Sequence, residues 1–286
     1  MLGLLLAGFA TVVEEIRDSI GKYEISHHRL TIYAFGFLTS LGGLLTILAV
    51  GFFVPKDFFA PGFPGGFVFA AASIPTLLVR LALEPLQAYV TLRAIVEADR
   101  STFGFLRTLT LPLLFAVDVF LGYSLGTLQV VGLVAIIGSL LILFLNHGLT
   151  KNGSLLTLIG AVNAVATISL YKYNVTYYNS VEMEQALALA LLTVLLLGAA
   201  IVTRQNPLHL LARPRSVLHV IFSGFAQTAF SFAFLFAPAS LITAAKRSLS
   251  VLWALLSGHV YFEERHAVLK LVCFLLVSLG IMFLVI

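Results

Sequence analysis

The sequence predicts an all-α polytopic membrane protein, with ten transmembrane helices in two inverted five-helix repeats, residues 1–149 and 150–286. Composition supplies the class. Hydrophobic residues make up 60% of the 286, charged residues only 10%, and mean hydropathy is +1.04, whereas a soluble domain spends about a quarter of its residues on charge. Run length supplies the element type. The apolar stretches are continuous and near twenty residues, about what a helix rising 1.5 Å per residue needs to cross a hydrocarbon core of roughly 30 Å. A membrane barrel would instead alternate apolar and polar residues in stretches of roughly ten. The arrangement follows from a polar junction near the midpoint, HGLTKNG at 147–153, with five apolar runs on each side. An odd number of spans per half sets the second half upside down relative to the first.

Helices are expected at 2–22, 30–53, 66–93, 101–121 and 125–146 in the first half. The opening MLGLLLAGFATVV lacks a basic n-region and a small-residue cleavage site before Glu14-Glu15, so it reads as a retained helix rather than a signal peptide. Its second half carries Glu14, Glu15, Arg17, Asp18 and Lys22. Either that helix leaves the membrane near residue 14, or it turns a polar face into a protein-lined cavity, with charges three and four apart offsetting one another. The connection VPKDFFAPGFPG at 54–65 is dense in the residues that end helices. The third helix places Arg80 and Glu84 four residues apart, between Pro75 and Pro85. Charges at membrane depth are costly and are paired or line a cavity, and the two prolines suit a helix with a broken or movable segment. The fourth and fifth helices form a tight hairpin around Gly122, with Asp118 in the last turn of the fourth.

The second half is expected to hold helices at 154–173, 184–203, 215–236, 238–260 and 266–286. The first of these carries Asn163 and closes on Tyr171-Lys172-Tyr173, an aromatic and basic pattern of membrane interfaces. NVTYYNSVEMEQ reads as a polar turn and RQNPLHLLARP as a basic connection. His219 and Gln227, eight residues apart, fall on one face of the 215–236 helix. Laying the 101–146 hairpin over the last one pairs Gly122 with Glu263, Gln129 with Lys270, Gly132 with Cys273 and Ser139 with Gly280. Hydropathy and small-residue positions correspond, although identities are few.

Several function classes are set aside by what the chain lacks. The net charge of +4 comes from bases spaced singly or in pairs between apolar runs, without the basic aromatic face of a nucleic-acid binder. Cys273 is the single cysteine, so no internal disulfide forms; it reads as a small apolar side chain. There is no HExxH, no paired CxxC and no P-loop, and Gly62 to Phe67 reads as a turn. No cofactor or metal is therefore expected, and the chain is not expected to be an enzyme.

The stretch FAFLFAPASLITAAKRSLSVLWALLSGHVYFEER at 232–265 carries a resemblance. Pro238, Ser240, Gly258, Phe262, Glu264 and Arg265 resemble the penultimate-helix signature of the drug/metabolite transporter superfamily, in its ten-helix EamA-like branch, and Gly280 matches a glycine of the last helix. Lys246-Arg247-Ser248 is similar to a basic pair found in some members. Glu263 and Cys273 replace glycines of the pattern, and Gly122-Tyr123-Ser124 stands where Gly-Glu-Arg would be expected. The resemblance spans essentially the whole chain. It implies a secondary transporter that moves a small organic metabolite or drug across the cell membrane by alternating access, and it leaves the solute open.

Candidate substrate-binding residues are Arg80, Glu84, Asn163, Gln227 and Lys246, polar groups at depths where lipid would penalise them. Lys246 lies about 12 Å into its helix, placed to meet a substrate carboxylate or phosphate or to pair with a protein carboxylate. Arg247 points about 100° away and reads as structural. Burial raises a carboxyl pKa, which makes Glu14 and Glu84 candidates for a coupling proton. The expected partners are the lipid bilayer and a small organic solute, and ten helices could enclose a path within a monomer. An alternative is a membrane-embedded enzyme acting on a lipid, for which Asp118, His259 and Glu264 are the nearest set. The resemblance puts both termini in the cytoplasm, whereas most of the 17 Lys and Arg fall in connections that the positive-inside rule would put there instead.

Overall fold

In the computed structural model, residues 2–27, 29–55, 66–120, 126–146, 149, 151–262 and 266–285 are described. They form α1 (Leu2–Ser26), α2 (Ile32–Phe53), α3 (Ile74–Glu97), α4 (Arg100–Arg107), α5 (Thr110–Phe120), α6 (Thr127–Leu145), α7 (Ser154–Tyr177), α8 (Val181–Val202), α9 (Pro214–Phe236), α10 (Ala239–Phe262) and α11 (Ala267–Val285). Short 3₁₀ turns at Ala71–Ser73 and Pro207–Ala212 lead into α3 and α9. The turn 122–124, with Glu263, Glu264 and Arg265, and the Asp118 and Phe262 side chains lie outside the described residues.

Six of these helices are long and apolar enough to cross a membrane: α2, α6, α7, α8, α9 and, within α10, Ala239–Val260. The chain is a polytopic, all-α membrane protein. The expected ten membrane-spanning helices in two inverted five-helix repeats are not found. Two of the six lie before residue 150 and four after it, so the halves do not match span for span and the parity argument for an inverted second half lapses. Three sequence features lower the number. In α1 and α3, Glu14, Glu15, Arg17 and Asp18, and Arg80, Glu84, Arg93 and Glu97, interrupt the apolar run. The described apolar part of α11, Val268–Phe283, is short.

The third feature is Pro112. The helix expected over 101–121 is two helices with a break at Thr108 and Leu109. Proline has no N–H, and its ring collides with the carbonyl four residues back, here that of Thr108. The chain therefore tightens to i→i+3 bonds, Thr108 N–H to Phe105 O at 3.0 Å and Leu111 N–H to Thr108 O at 2.9 Å. The Thr108 and Thr110 hydroxyls donate to Phe105 O and Arg107 O, both at 2.7 Å, which satisfies carbonyls that the ended helix leaves open.

The broken segment expected in α3 is absent. Pro75 sits in its first turn, where no N–H is needed, and Pro85 lies inside a helix that continues from Ile74 to Glu97.

Helices of the first half pack on helices of the second: α6 on α11, α2 on α8 and α9, α1 on α9 and α10, α3 on α7. Without a hydrophobic drive between helices in lipid, close backbone approach through small residues holds such pairs. α2 and α9 meet this way: a Cβ on Gly42 would stand 2.1 Å from Val220 O, and one on Gly224 would stand 2.0 Å from Thr46 Oγ1. Two apolar cores are larger than the others. Phe105, Leu111, Ile136, Leu143 and Val277 form one, and Ile47, Leu189, Phe232, Phe234 and Ile242 the other.

Candidate functional site

Among these helices lies a cavity of about 310 Å³, at the lower end of the size usual for small-molecule sites. Glu14, Arg17 and Asp18 of α1 line it, with Arg80 and Glu84 of α3, Arg107 of α4, and Lys246 and Arg247 of α10. Gln87, Gln185 and Gln227 add amides from α3, α8 and α9. The second half of α1 thus turns its charges inward, the second of the two sequence-based alternatives: Glu15, Asp18, Arg17 and Lys22 are all buried.

The α1 corner is held by charge. Glu14 Oε2 lies 2.6 Å from Lys246 Nζ, which also stands 3.8 Å above the Phe230 ring. Arg17 and Arg107 are close enough to attract the same carboxylate. Arg17 closes onto its neighbour Asp18, with Nη2 2.6 Å and Nε 2.9 Å from Oδ1. Just outside the lining, Glu15 accepts from Arg100 and from the Ser250 hydroxyl, tying α1 to α4 and α10. Arg247 Nε donates to Thr110 Oγ1 at 3.1 Å, so the start of α5 beyond the Pro112 break positions this guanidinium.

The α3 corner is a network. Helical spacing puts Arg80 Nε 3.2 Å from Glu84 Oε1, and Arg80 Nη1 meets Glu184 Oε2 at 2.5 Å. Glu184 is fully buried; Ser180 caps α8 through Met183 N–H, and Asn179 Nδ2 donates to Glu184 Oε1 at 2.6 Å. Asn179 Oδ1 in turn accepts from Ala70 N–H at 2.9 Å and the Ser73 hydroxyl at 3.2 Å. The segment entering α3 is therefore fastened to the α7–α8 turn. The Arg80 guanidinium carbon lies 4.6 Å from the Tyr171 ring centre, and Tyr171 Oη donates to Ser231 O at 3.0 Å.

Of the sequence-predicted residues, Arg80, Glu84, Gln227, Lys246 and Glu14 line this one cavity. Asn163 stands one residue behind it, donating to Leu83 O at 3.2 Å and to Gln87 Oε1 at 2.9 Å. It orients the Gln87 amide and fills the backbone position next to Glu84. Gln227 Nε2 donates to Thr39 O at 3.0 Å, and Thr39 Oγ1 lies 2.9 Å from His219 Nε2, so His219 and Gln227 do share a face. Arg247 reaches the cavity wall beside Lys246. Trp253 lines a different, apolar groove of about 560 Å³ between α1 and α10, with Ile16, Tyr23 and Leu256.

Sequence reasoning passed over Glu184, Arg107 and Gln87. Glu184 lay in a segment read as a polar turn, and Arg107 in a helix read as continuous. Among the described residues no group of three or more His, Cys, Asp or Glu could hold a metal ion. No protein-family model and no curated protein matches the chain.

Proposed function

We propose that this protein is a secondary transporter, moving a small organic metabolite or drug across the cell membrane by alternating access. The observation that supports the reading is a charged cavity enclosed by helices of a polytopic membrane protein. Polar groups at such depth are expensive and mark solute or ion pathways. The ion pairs at the cavity join different helices, α1 to α10 through Glu14 and Lys246 and α3 to α8 through Arg80 and Glu184. Pairs of that kind can part and reform as helices move, giving an element with two discrete arrangements. Glu14 and Glu84, each lining the cavity and each paired to a base, are the carboxylates that would take up a coupling proton. Arg80, Glu84, Gln227 and Lys246 contact the solute, with Asn163 supporting them through Gln87.

The resemblance of 232–265 to the EamA-like branch of the drug/metabolite transporter superfamily agrees with this reading and leads us to put both termini in the cytoplasm. For the alternative, a lipid-modifying enzyme, no observation speaks: His259 is exposed, and Asp118 and Glu264 have no described side chain. The test is flux in sealed proteoliposomes against a panel of metabolites. Accumulation or counterflow of an unmodified solute is expected, with loss in Lys246→Ala and Glu84→Gln variants that still insert. Chemical turnover of a lipid, or no flux of any solute with both variants behaving as wild type, would overturn it. A C-terminal reporter active only outside the cell would reverse the orientation.

A further inference from the structure

The cavity does not balance its own charge, and the excess is confined to one corner. Where α1, α4 and α10 meet, Arg17, Arg107, Lys246 and Arg247 face only Glu14 and Asp18 among the lining residues. Those two carboxylates are already engaged, Glu14 by Lys246 and Asp18 by Arg17. The remaining cations are Arg107 and Arg247. Arg107 makes no ion pair among the described residues; its guanidinium lies over the Phe103 ring, 4.8 Å from the centroid. Arg247 is 2% exposed, spends Nε on the Thr110 hydroxyl, and leaves Nη1 with no hydrogen-bond partner. The two guanidiniums repel one another, and Glu14 and Glu15 attract Arg247 only from beyond ion-pair distance.

A buried guanidinium with an open N–H is costly unless a partner arrives. Here Arg247 and Arg107 both line a space of about 310 Å³, the volume of roughly ten waters. Two guanidiniums lining one cavity present planar forks of donors, the geometry that matches a carboxylate or a phosphate. At the opposite corner Arg80 is matched by both Glu84 and Glu184, so that end offers no cation to spare.

We propose that the solute is a small organic anion whose carboxylate or phosphate group is held by Arg247 and Arg107, with Lys246 screened from that group, though not from the rest of the solute, by Glu14. This rests on the transporter reading and adds the chemical class of its substrate. It moves the anion contact from Lys246, the residue singled out in the sequence, to its neighbour and to a residue of α4. Binding an anion there offsets the repulsion between the two cations, so the anion contributes stability as well as occupancy.

The test is melting of the full chain in phosphatidylcholine nanodiscs. The probes are inorganic phosphate and glutarate, set against the same carbon skeleton without negative charge, glutaric diamide and cadaverine. A saturating anion is expected to raise the melting midpoint by about 5 °C or more, as ligand linkage predicts for a chain of this size, and the diamide and diamine to leave it unchanged. Arg247→Gln, which keeps a donor for Thr110 and removes the repulsion, is expected to fold at least as well without ligand and to lose the anion response. Arg107→Gln is expected to weaken the response at least tenfold. Arg93→Gln, on an exposed pair with Glu97, keeps it.

Equal stabilisation by the diamide or diamine would overturn the proposal. So would an anion response that survives Arg247→Gln, or no response to either anion. If the Arg247-dependent shift comes only from added phosphatidylglycerol, the site takes a lipid headgroup and the proposal also falls. Flux separates it from the transporter reading. An anion that binds but never crosses sinks the transporter and leaves the site, whereas a neutral or cationic solute that crosses without any anion response does the reverse.

Discussion

Glu14 Oε2 and Lys246 Nζ, 2.6 Å apart, join the start of the chain to its penultimate described helix, and the two partners are unequally placed. Glu14 has Arg17 and Arg107 nearby as well as Lys246, while Lys246 has Glu14 against two bases, Arg107 and Arg247. Removing one partner of a buried pair costs about 3–5 kcal/mol when the other charge is stranded. Glu14→Gln strands Lys246 beside Arg107 and Arg247 and is expected to fall in that range. Lys246→Gln leaves Glu14 still compensated and is expected to cost about 1–2 kcal/mol. Denaturant unfolding in one detergent would compare the two, and the reverse order would refute this account of the corner.

Arg80 supports a second prediction because its two carboxylates differ. Glu84 is four residues along the same helix and partly accessible, whereas Glu184 is fully buried on α8 and is also held by Asn179. Glu184→Gln leaves Arg80 with Glu84 but uncouples α3 from α8, so the expected cost is about 2–3 kcal/mol. Glu84→Gln, with the interhelical pair intact, is expected to cost under about 1 kcal/mol and to act on transport instead. Melting midpoints and flux measured on both variants should separate in opposite directions.

The sequence made the helices legible because apolar run length is a local quantity: every expected segment overlaps a helix of the structure. Arg80 with Glu84 was legible for the same reason, since helical spacing alone brings them together. Glu184 was not, because its importance comes from meeting Arg80 across two helices, and its own neighbours, Asn179 and Ser180, read as a turn. The break at Thr108 was signalled by Pro112, but the apolar residues around it, Leu109, Leu111, Leu113 and Leu114, outweighed a single proline. The number of spans failed at the same places. α1 and α3 are helices of sufficient length whose charges are taken up by the protein interior, a partition that periodicity does not reveal.

Close approach between α2 and α9 yields a third prediction, with an internal control. A methyl at Gly42 or Gly224 would collide with main-chain oxygen of the facing helix, at 2.1 and 2.5 Å respectively, which cannot move aside as a side-chain tip can. Gly42→Ala and Gly224→Ala are each expected to cost about 1–3 kcal/mol. Gly198 on α8 has nothing within 4 Å of the same position, so Gly198→Ala gains helix propensity and should stabilise by about 0.5–1 kcal/mol. Unfolding midpoints for the three variants test the packing, and a neutral Gly42→Ala would mean that the helices stand further apart.

Pro112 controls where two site residues stand, although it touches no ligand. The break it imposes sets the direction of α4, which carries Arg107, and of the first turn of α5, whose Thr110 holds Arg247. Pro112→Ala restores an N–H able to reach Thr108 O and removes the ring that blocks it. Helix is then expected to run on through 108 and 109, drawing the Thr110 hydroxyl away from Arg247. In hydrogen exchange, the amides at 109–111 should become slower in the variant, because i→i+4 bonds protect them. The anion response of the melting midpoint should fall with Arg247 unchanged in sequence. If exchange at 109–111 is the same in both proteins, the break is imposed by the packing of α4 on α10 rather than by the proline, and this explanation of the site's geometry is lost.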